Sequence, residues 1–322
     1  MAQNQNYWID AWIEKAAKMA AEKVGTSRQD ASYTSMFARE LEHLMTRSFD
    51  VKYPELRAKL LIPVNNSVPT GADSVVYSQY DQFGEASVGG NYSDDINLVN
   101  TNGRQFTQPI VPIKDAYEIS IQDLRASAMT GKDLPTRMIS TCRRVIEQKI
   151  DDIVATGAAD FGIATGLLND AAIPTVAEVT GAWASATPEQ IIGDVLKLWG
   201  SIGTLTNNVH LPNTLVLPTS LWYTLSARCT SSDLSVIKWL EQNLDGLTLI
   251  TQWYKLNTAD AGGAERMMAY QRSPETAEII MSQEFEQFEP QWENLAMKVP
   301  CHARTAGINI YYPKAFAYMD DI

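Results

Sequence analysis

Residues 67–113 read SVPTGADSVVYSQYDQFGEASVGGNYSDDINLVNTNGRQFTQPIVPI, and the rest of the chain is organised around them. The stretch opens and closes in strand-like, partly alternating runs, with a middle of Gly, Asn, Ser and Asp. Two arms, 72–87 and 103–118, would each reach ~50 Å at ~3.3 Å per residue. A folded chain of 322 residues has a radius of gyration of only about 20 Å. From Gly84 to Gly103 there are few large apolar side chains for a core. A hairpin this long and polar is hard to bury in its own subunit, so the expectation is that it lies on a neighbouring copy. Gly84, Gly89, Gly90 and Gly103 do not form GxGxxG, and no strand-to-helix turn surrounds them; tight bends are their expected use.

Composition narrows the partners. The hydrophobic fraction of 45% and the charged fraction of 20% suit one large or two modest folded domains. The balance of 26 Lys+Arg against 38 Asp+Glu gives a net charge of -12, poor for wrapping nucleic acid, which needs clustered cations. Within 67–113, Asp73, Asp81, Glu85, Asp94 and Asp95 stand against Arg104 alone. Cys142, Cys229 and Cys301 are odd in number, far apart and without CxxC spacing, so neither a disulfide framework nor structural zinc is expected. A reducing compartment fits them. No run reaches the ~18 apolar residues of a membrane span, and MAQNQNYWIDAWIEK lacks a signal-peptide pattern. Synthesis in the cytoplasm with no membrane partner is the expectation.

Before the hairpin, residues 7–24 set Trp8, Trp12, Ala16, Met19 and Ala20 on one helical stripe, closed by Gly25. A second helix over 34–48 carries Phe37, Leu41, Leu44 and Met45 on its apolar face. Together they read as an arm whose tryptophans need a partner surface. After the hairpin the period changes. ISIQDLRASAMT (119–130) predicts a short helix, and Leu134, Met138, Cys142, Val145, Ile146, Ile150, Ile153 and Val154 follow helical spacing. That predicts a helix from Leu134 to Val154, ~30 Å long at ~1.5 Å per residue. Asp133 caps it, Pro135 occupies its first turn, and Gly157 ends it.

Thr187-Pro188-Glu189-Gln190 matches a capping box and starts a helix to about Ile202. TLVLP (214–218), LTLITQWYKL (247–256) and RMMAYQ (266–271) read as strands, with helices at LWYTLSAR and LSVIKWLEQNL between them. This alternation gives residues 171–280 an α/β character. Residues 284–322 return to strands, at least three, separated by Pro290, Pro300, Gly307 and Pro313. They are expected to complete a sheet begun near 113–119, beside the long helix.

Chemistry is thin. The histidines are His43, His210 and His302. Cys301-His302 is the best nucleophile–base suggestion, but neighbours on a strand point to opposite faces and cannot easily bond each other. Asp94-Asp95, Asp151-Asp152 and Asp320-Asp321 could be read as metal ligands; adjacent exposed carboxylates are usually just solvated. Trp8 and Trp12 suit packing better than ligand binding. Arg143-Arg144 has Glu147 and Asp151 at helical spacing, which suits a salt-bridged face. No GxSxG, GxxxxGK[ST], HExxH or EF-hand loop occurs. No catalytic, cofactor-binding or metal residue is therefore assigned, and no enzyme is expected. The chain points towards assembly.

The order of parts, an arm, a long hairpin, a long helix, an α/β lobe and a returning sheet, resembles the Hong Kong 97-type capsid fold. The wording of LIPVNNSVPTGADSVVYSQYDQFGEA (61–86), GLLND (166–170), MAYQRSPE (268–275) and FEQFEPQWENLAMKVPCHARTAGINIYYPKAFAYMDDI (285–322) is similar to a phage major capsid family. The resemblance implies an α+β fold with an N-terminal arm (1–66), an E-loop hairpin (67–113), a P-domain with a spine helix (114–170), an A-domain (171–283) and C-terminal strands returning to the P-domain (284–322). It also implies pentamers and hexamers closing into an icosahedral head that encloses double-stranded DNA without sequence-specific binding. Some members of this fold cross-link a hairpin Lys to a neighbour's Asn; no Lys lies between Lys59 and Lys114, so that chemistry is not expected. About 50 residues precede the first family-like passage, too few for the largest scaffolding regions. Separate scaffolding, portal and cement proteins are the expectation. Two alternatives stay open: an encapsulin-type nanocompartment shell, and an α/β enzyme with an unrecognised site.

Overall fold

The computed structural model describes residues 51–88, 97–131, 133–178, 181, 183, 185–227, 234–260 and 262–322. The chain divides into two units, Met1–Tyr53 and Pro54–Ile322, and every element below belongs to the second. The helices expected over 7–24 and 34–48 lie outside the described residues.

A short helix, α1 (Ala58–Leu61), turns Ala58 and Leu61 into the core and leads to β1 (Val64–Asn65). The hairpin follows. Its strands β2 (Ser74–Phe83) and β3 (Asn100–Pro109) pair antiparallel, from Ser74 opposite Pro109 to Phe83 opposite Asn100. Each arm has 10 residues, ~33 Å at ~3.3 Å per residue, shorter than the predicted 72–87 and 103–118. The second arm stops because the chain changes sheets. In β4 (Val111–Ser120), buried Val111, Ile113, Tyr117 and Ile119 alternate with exposed Pro112, Lys114, Ala116 and Glu118, the period of a half-buried strand. Ile110 marks the corner: its N–H donates to the Asp73 carbonyl at 2.9 Å, and its side chain packs with Ile280 and Ala306.

Ser120 caps α2 (Ile121–Thr130), its hydroxyl accepting from the Asp123 N–H at 3.0 Å. The long helix α3 (Leu134–Thr156) begins as predicted, with Asp133 accepting from the Thr136 N–H at 3.2 Å and Pro135 in the first turn. Its buried stripe of Cys142, Ile146, Ile150, Ile153 and Val154 lies against the sheet that contains β4. Then α4 (Pro188–Thr206) starts on the predicted capping box, Thr187 Oγ1 accepting from Gln190 N–H and Gln190 Oε1 from Thr187 N–H at 2.8 Å. It runs a turn past Ile202, to a left-handed Asn207 (φ 51°). The chain continues through β5 (Thr214–Pro218), α5 (Thr219–Ala227), α6 (Val236–Asn243), β6 (Leu249–Trp253) and β7 (Arg266–Tyr270). LTLITQWYKL is only half strand, because Tyr254–Thr258 closes into a 3-10 helix.

The last strands are β8 (Ala277–Gln287), β9 (Gln291–Glu293), β10 (Ala296–Ile310) and β11 (Phe316–Asp320). One sheet has the order β1-β8-β10-β4, with β9 also on β10; a second has the order β11-β7-β5-β6. Two expectations are corrected here. Pro300 and Gly307 do not separate strands, since β10 runs through both. The Pro300 carbonyl accepts from Phe288 N–H at 3.0 Å, so the proline's nitrogen faces the same side, past the last β8 ladder pair, Cys301 opposite Gln287. At Gly307 (φ 74°) the β8 register shifts, and a Cβ there would come within 3.2 Å of the Ile153 side chain. Secondly, not all of 284–322 returns to the first sheet: β11 pairs with β7 in the second, from Phe316 opposite Tyr270 to Asp320 opposite Arg266.

That strand is buried on both faces, which explains its placement. Phe316 and Tyr318 join Val216, Met268 and Tyr270 in the core shared with α3 and the first sheet. Ala317 and Met319 join Leu215, Leu217, Met267 and Ala269 in the core under α4, α5 and α6. The described structure is an α+β fold with one sheet standing between two apolar cores.

Candidate assembly interface

The hairpin is anchored at its base. Gln108 Nε2 donates to the carbonyls of Ala306 (2.6 Å) and Ile308 (3.2 Å). Arg304 donates to the carbonyls of Thr70 and Ala72 and meets the Asp73 carboxylate at 3.2 Å. Tyr77 stacks on Phe106 with ring centroids 5.1 Å apart and meets Tyr311 edge-on at 4.9 Å. Beyond this the ladder runs into solvent. Tyr80 is 70% exposed, Leu98 89% and Val99 77%, with Phe83 and Val88 also exposed. Tyr80 lies across Gly103, where a Cβ would sit 2.9 Å from its ring. A two-stranded ribbon is marginal in water by itself, and this one carries exposed apolar side chains beside Asp81 and Glu85. It can gain stability by lying on another surface.

The polar residues singled out in the sequence are placed elsewhere. Cys301 is buried, and His302 turns to the other face of β10, opposite Lys114 and Glu286 in the neighbouring strands. Burial, then the charges of Arg304 and Lys114, hold the His302 imidazole below its ordinary pKa. The two make no nucleophile–base pair. His210 Nδ1 pairs with Gln271 Oε1 at 2.8 Å. Asp151 and Asp152 share a cation, the Lys255 ammonium, at 2.7 Å each, and Asp151 also accepts from the Ala58 N–H at 2.9 Å. Burial pulls the Lys255 pKa down, but its bonds to both carboxylates outweigh that and hold it above the ordinary lysine value. Asp320 pairs bidentately with Arg266, at 2.5 and 2.7 Å. Arg266 also donates to the Leu168 carbonyl and lies 4.3 Å from the Tyr318 ring centroid. Arg143 reaches Glu147 at 3.4 Å and lies over the Phe285 ring. Among the described residues, no group of three or more His, Cys, Asp or Glu is placed to hold a metal ion, and no helix is long and apolar enough to cross a membrane. His43, Trp8, Trp12, Gly89, Gly90, Asp94 and Asp95 lie outside the described residues.

The Lys255 and Arg266 clamps were not read from the sequence. Arg266 carried a signal, a cation opening the otherwise apolar strand RMMAY, with MDD near the chain end to answer it. Lys255, in QWYKL, carried none.

Buried charges committed to internal clamps, with a ribbon of exposed apolar side chains, suit a structural building block. Residues 84–322 match the major capsid protein family, and the chain belongs to that family. Its fold is the Hong Kong 97-type capsid fold. "The capsid of Myoviridae Phage XM1" superposes with a TM-score of 0.80 at 18% identity, covering 90% of this chain and 100% of that one. The chain from Mycobacterium phage Ogopogo gives 0.61 at 11%, covering 87% and 96%. A virus-like particle from Pyrococcus furiosus gives 0.54 at 14%, covering 81% and 90%. No curated protein sequence matches the chain. The protein is a phage major capsid protein, structural in family and fold. It assembles into an oligomeric icosahedral shell, and its place is the virion.

Proposed function

We propose that this chain forms pentamers and hexamers of a tailed-phage head, each subunit laying its hairpin across a neighbour, and that the head encloses double-stranded DNA without reading its sequence. The observation that carries this is the outer part of the β2–β3 ribbon, where Tyr80, Phe83, Leu98 and Val99 are largely exposed among the described residues. Closed symmetry between identical copies supplies the missing surface. The net charge of -12 supports a wall that contains DNA without holding it tightly.

In this reading residues 1–66 are the N-terminal arm, 67–113 the E-loop, 114–170 with β8 to β10 (277–310) the P-domain, and 171–276 with β11 the A-domain. Assembly takes place in the host cytoplasm with separate scaffolding and portal proteins, and cement proteins add to a shell that lacks a hairpin Lys for cross-linking. No catalytic activity is assigned. Deleting residues 84–99 removes the end of the ribbon and leaves both sheets intact. The expected result is a folded subunit, by circular dichroism and melting, that no longer gives closed shells in electron micrographs. Normal shells from that variant would refute the role given to the hairpin. A nanocompartment shell is the second reading, and the likeness to a particle from Pyrococcus furiosus, named virus-like and not a phage head, supports keeping it. The contents of purified particles, nucleic acid or protein cargo, separate the two.

A further inference from the structure

Cys142 on α3 and Cys301 on β10 are both buried and both free thiols, and shell-building uses neither. Cys301 stands directly opposite Asp115 in the β4–β10 ladder, which puts the two side chains on one face. The Cys142 thiol donates to Asp115 Oδ2 at 3.6 Å, so both cysteines converge on one carboxylate side chain. Two cysteines from distant parts of the chain thus meet where the long helix lies on the central strand of the first sheet.

We propose that the Cys142–Cys301 pair is a modification site, a dithiol that a small-molecule disulfide converts to an intrachain bond pinning α3 to β10. One protein thiolate attacks the reagent's S–S bond and releases one small thiol. The second protein thiolate then attacks that mixed disulfide and releases the other. One S–S bond is broken and one formed; the protein is oxidised by two electrons, the reagent is reduced, and both protons leave on the released thiols. Burial, then the neighbouring Cys301 thiol, pushes the Cys142 thiol well above its ordinary pKa, so the first step is slow. The second is fast because the partner thiol lies beside the same Asp115 side chain and the step is intramolecular. A virion leaves the reducing cell for oxidising surroundings, so a slow, one-way bond suits a shell protein made in one and kept in the other.

The test uses the full-length protein carrying Cys229→Ser, incubated with oxidised glutathione and digested without reduction. A peptide joining Cys142 to Cys301 is expected, with a melting temperature raised by about 5 °C and restored by dithiothreitol. Cys142→Ala and Cys301→Ala should each abolish the joined peptide and the shift. If both thiols stay free in the folded protein while the denatured chain oxidises, or if they end only as glutathione adducts, the proposal is overturned.

Discussion

Lys255 shows what a single side chain holds together. Its ammonium joins two carboxylates of α3 to the turn after β6, while Asp151 also receives the N–H of Ala58 from the chain's approach to the hairpin. Lys255→Met leaves Asp151 buried without its counter-ion, and a loss of about 3 kcal/mol in denaturant unfolding is expected. Adding Asp151→Asn should recover part of it. The pH sign follows from the raised pKa. The Lys255 contribution is fully present below the unfolded value, ~10.4, and fades as pH rises through the higher folded value. His302 works at the other end of the scale. Its imidazole is held low by burial, Arg304 and Lys114, with Glu286 opposing, so the unfolded chain takes up the proton first. Stability is intact above pH ~6.5 and declines as pH falls through the lowered value. His302→Gln should flatten that acid limb in melts recorded against pH, and an unchanged slope would remove His302 as its cause.

The elements show how far the sequence can be read. The long helix was legible because three local signals agreed: the Asp133 cap, Pro135 in the first turn and a 3.6-residue apolar stripe. The capping box at Thr187 was legible for the same reason. The hairpin was visible, but its inner boundary was not. QFTQPIVPI carries strand character across Ile110, and only tertiary partners decide that Pro109 ends one sheet and Val111 begins another. β10 was misread because Pro and Gly usually break strands, whereas here the proline nitrogen faces β8 beyond the last ladder pair and the glycine makes a bulge. Gly307→Ala tests that bulge. It forces a side chain into positive φ and against Ile153, so a loss of about 1–3 kcal/mol in equilibrium unfolding is expected. A neutral result would mean the strand can relax its register. Of the candidate site, the projecting ribbon was readable from length and polarity, while the ion clamps depend on residues some 100 and 54 positions apart in the chain.

At the scale of the molecule, the second sheet has no solvent side along β5, β7 and β11; its alternate residues feed two different cores. A wall shared by two rooms cannot be taken down from one side. If either core loosens, the strands between them lose half their packing and the other core is opened to water. The two halves of Pro54–Ile322 are therefore expected to melt together, as one calorimetric transition with equal calorimetric and van't Hoff enthalpies. Two separated peaks from the unassembled subunit would contradict it. For a shell, this means that strain entering a subunit through its hairpin cannot be dissipated by one lobe giving way. It passes through the shared sheet to the far side, so the subunit behaves as a stiff tile and deformation collects at the seams between tiles.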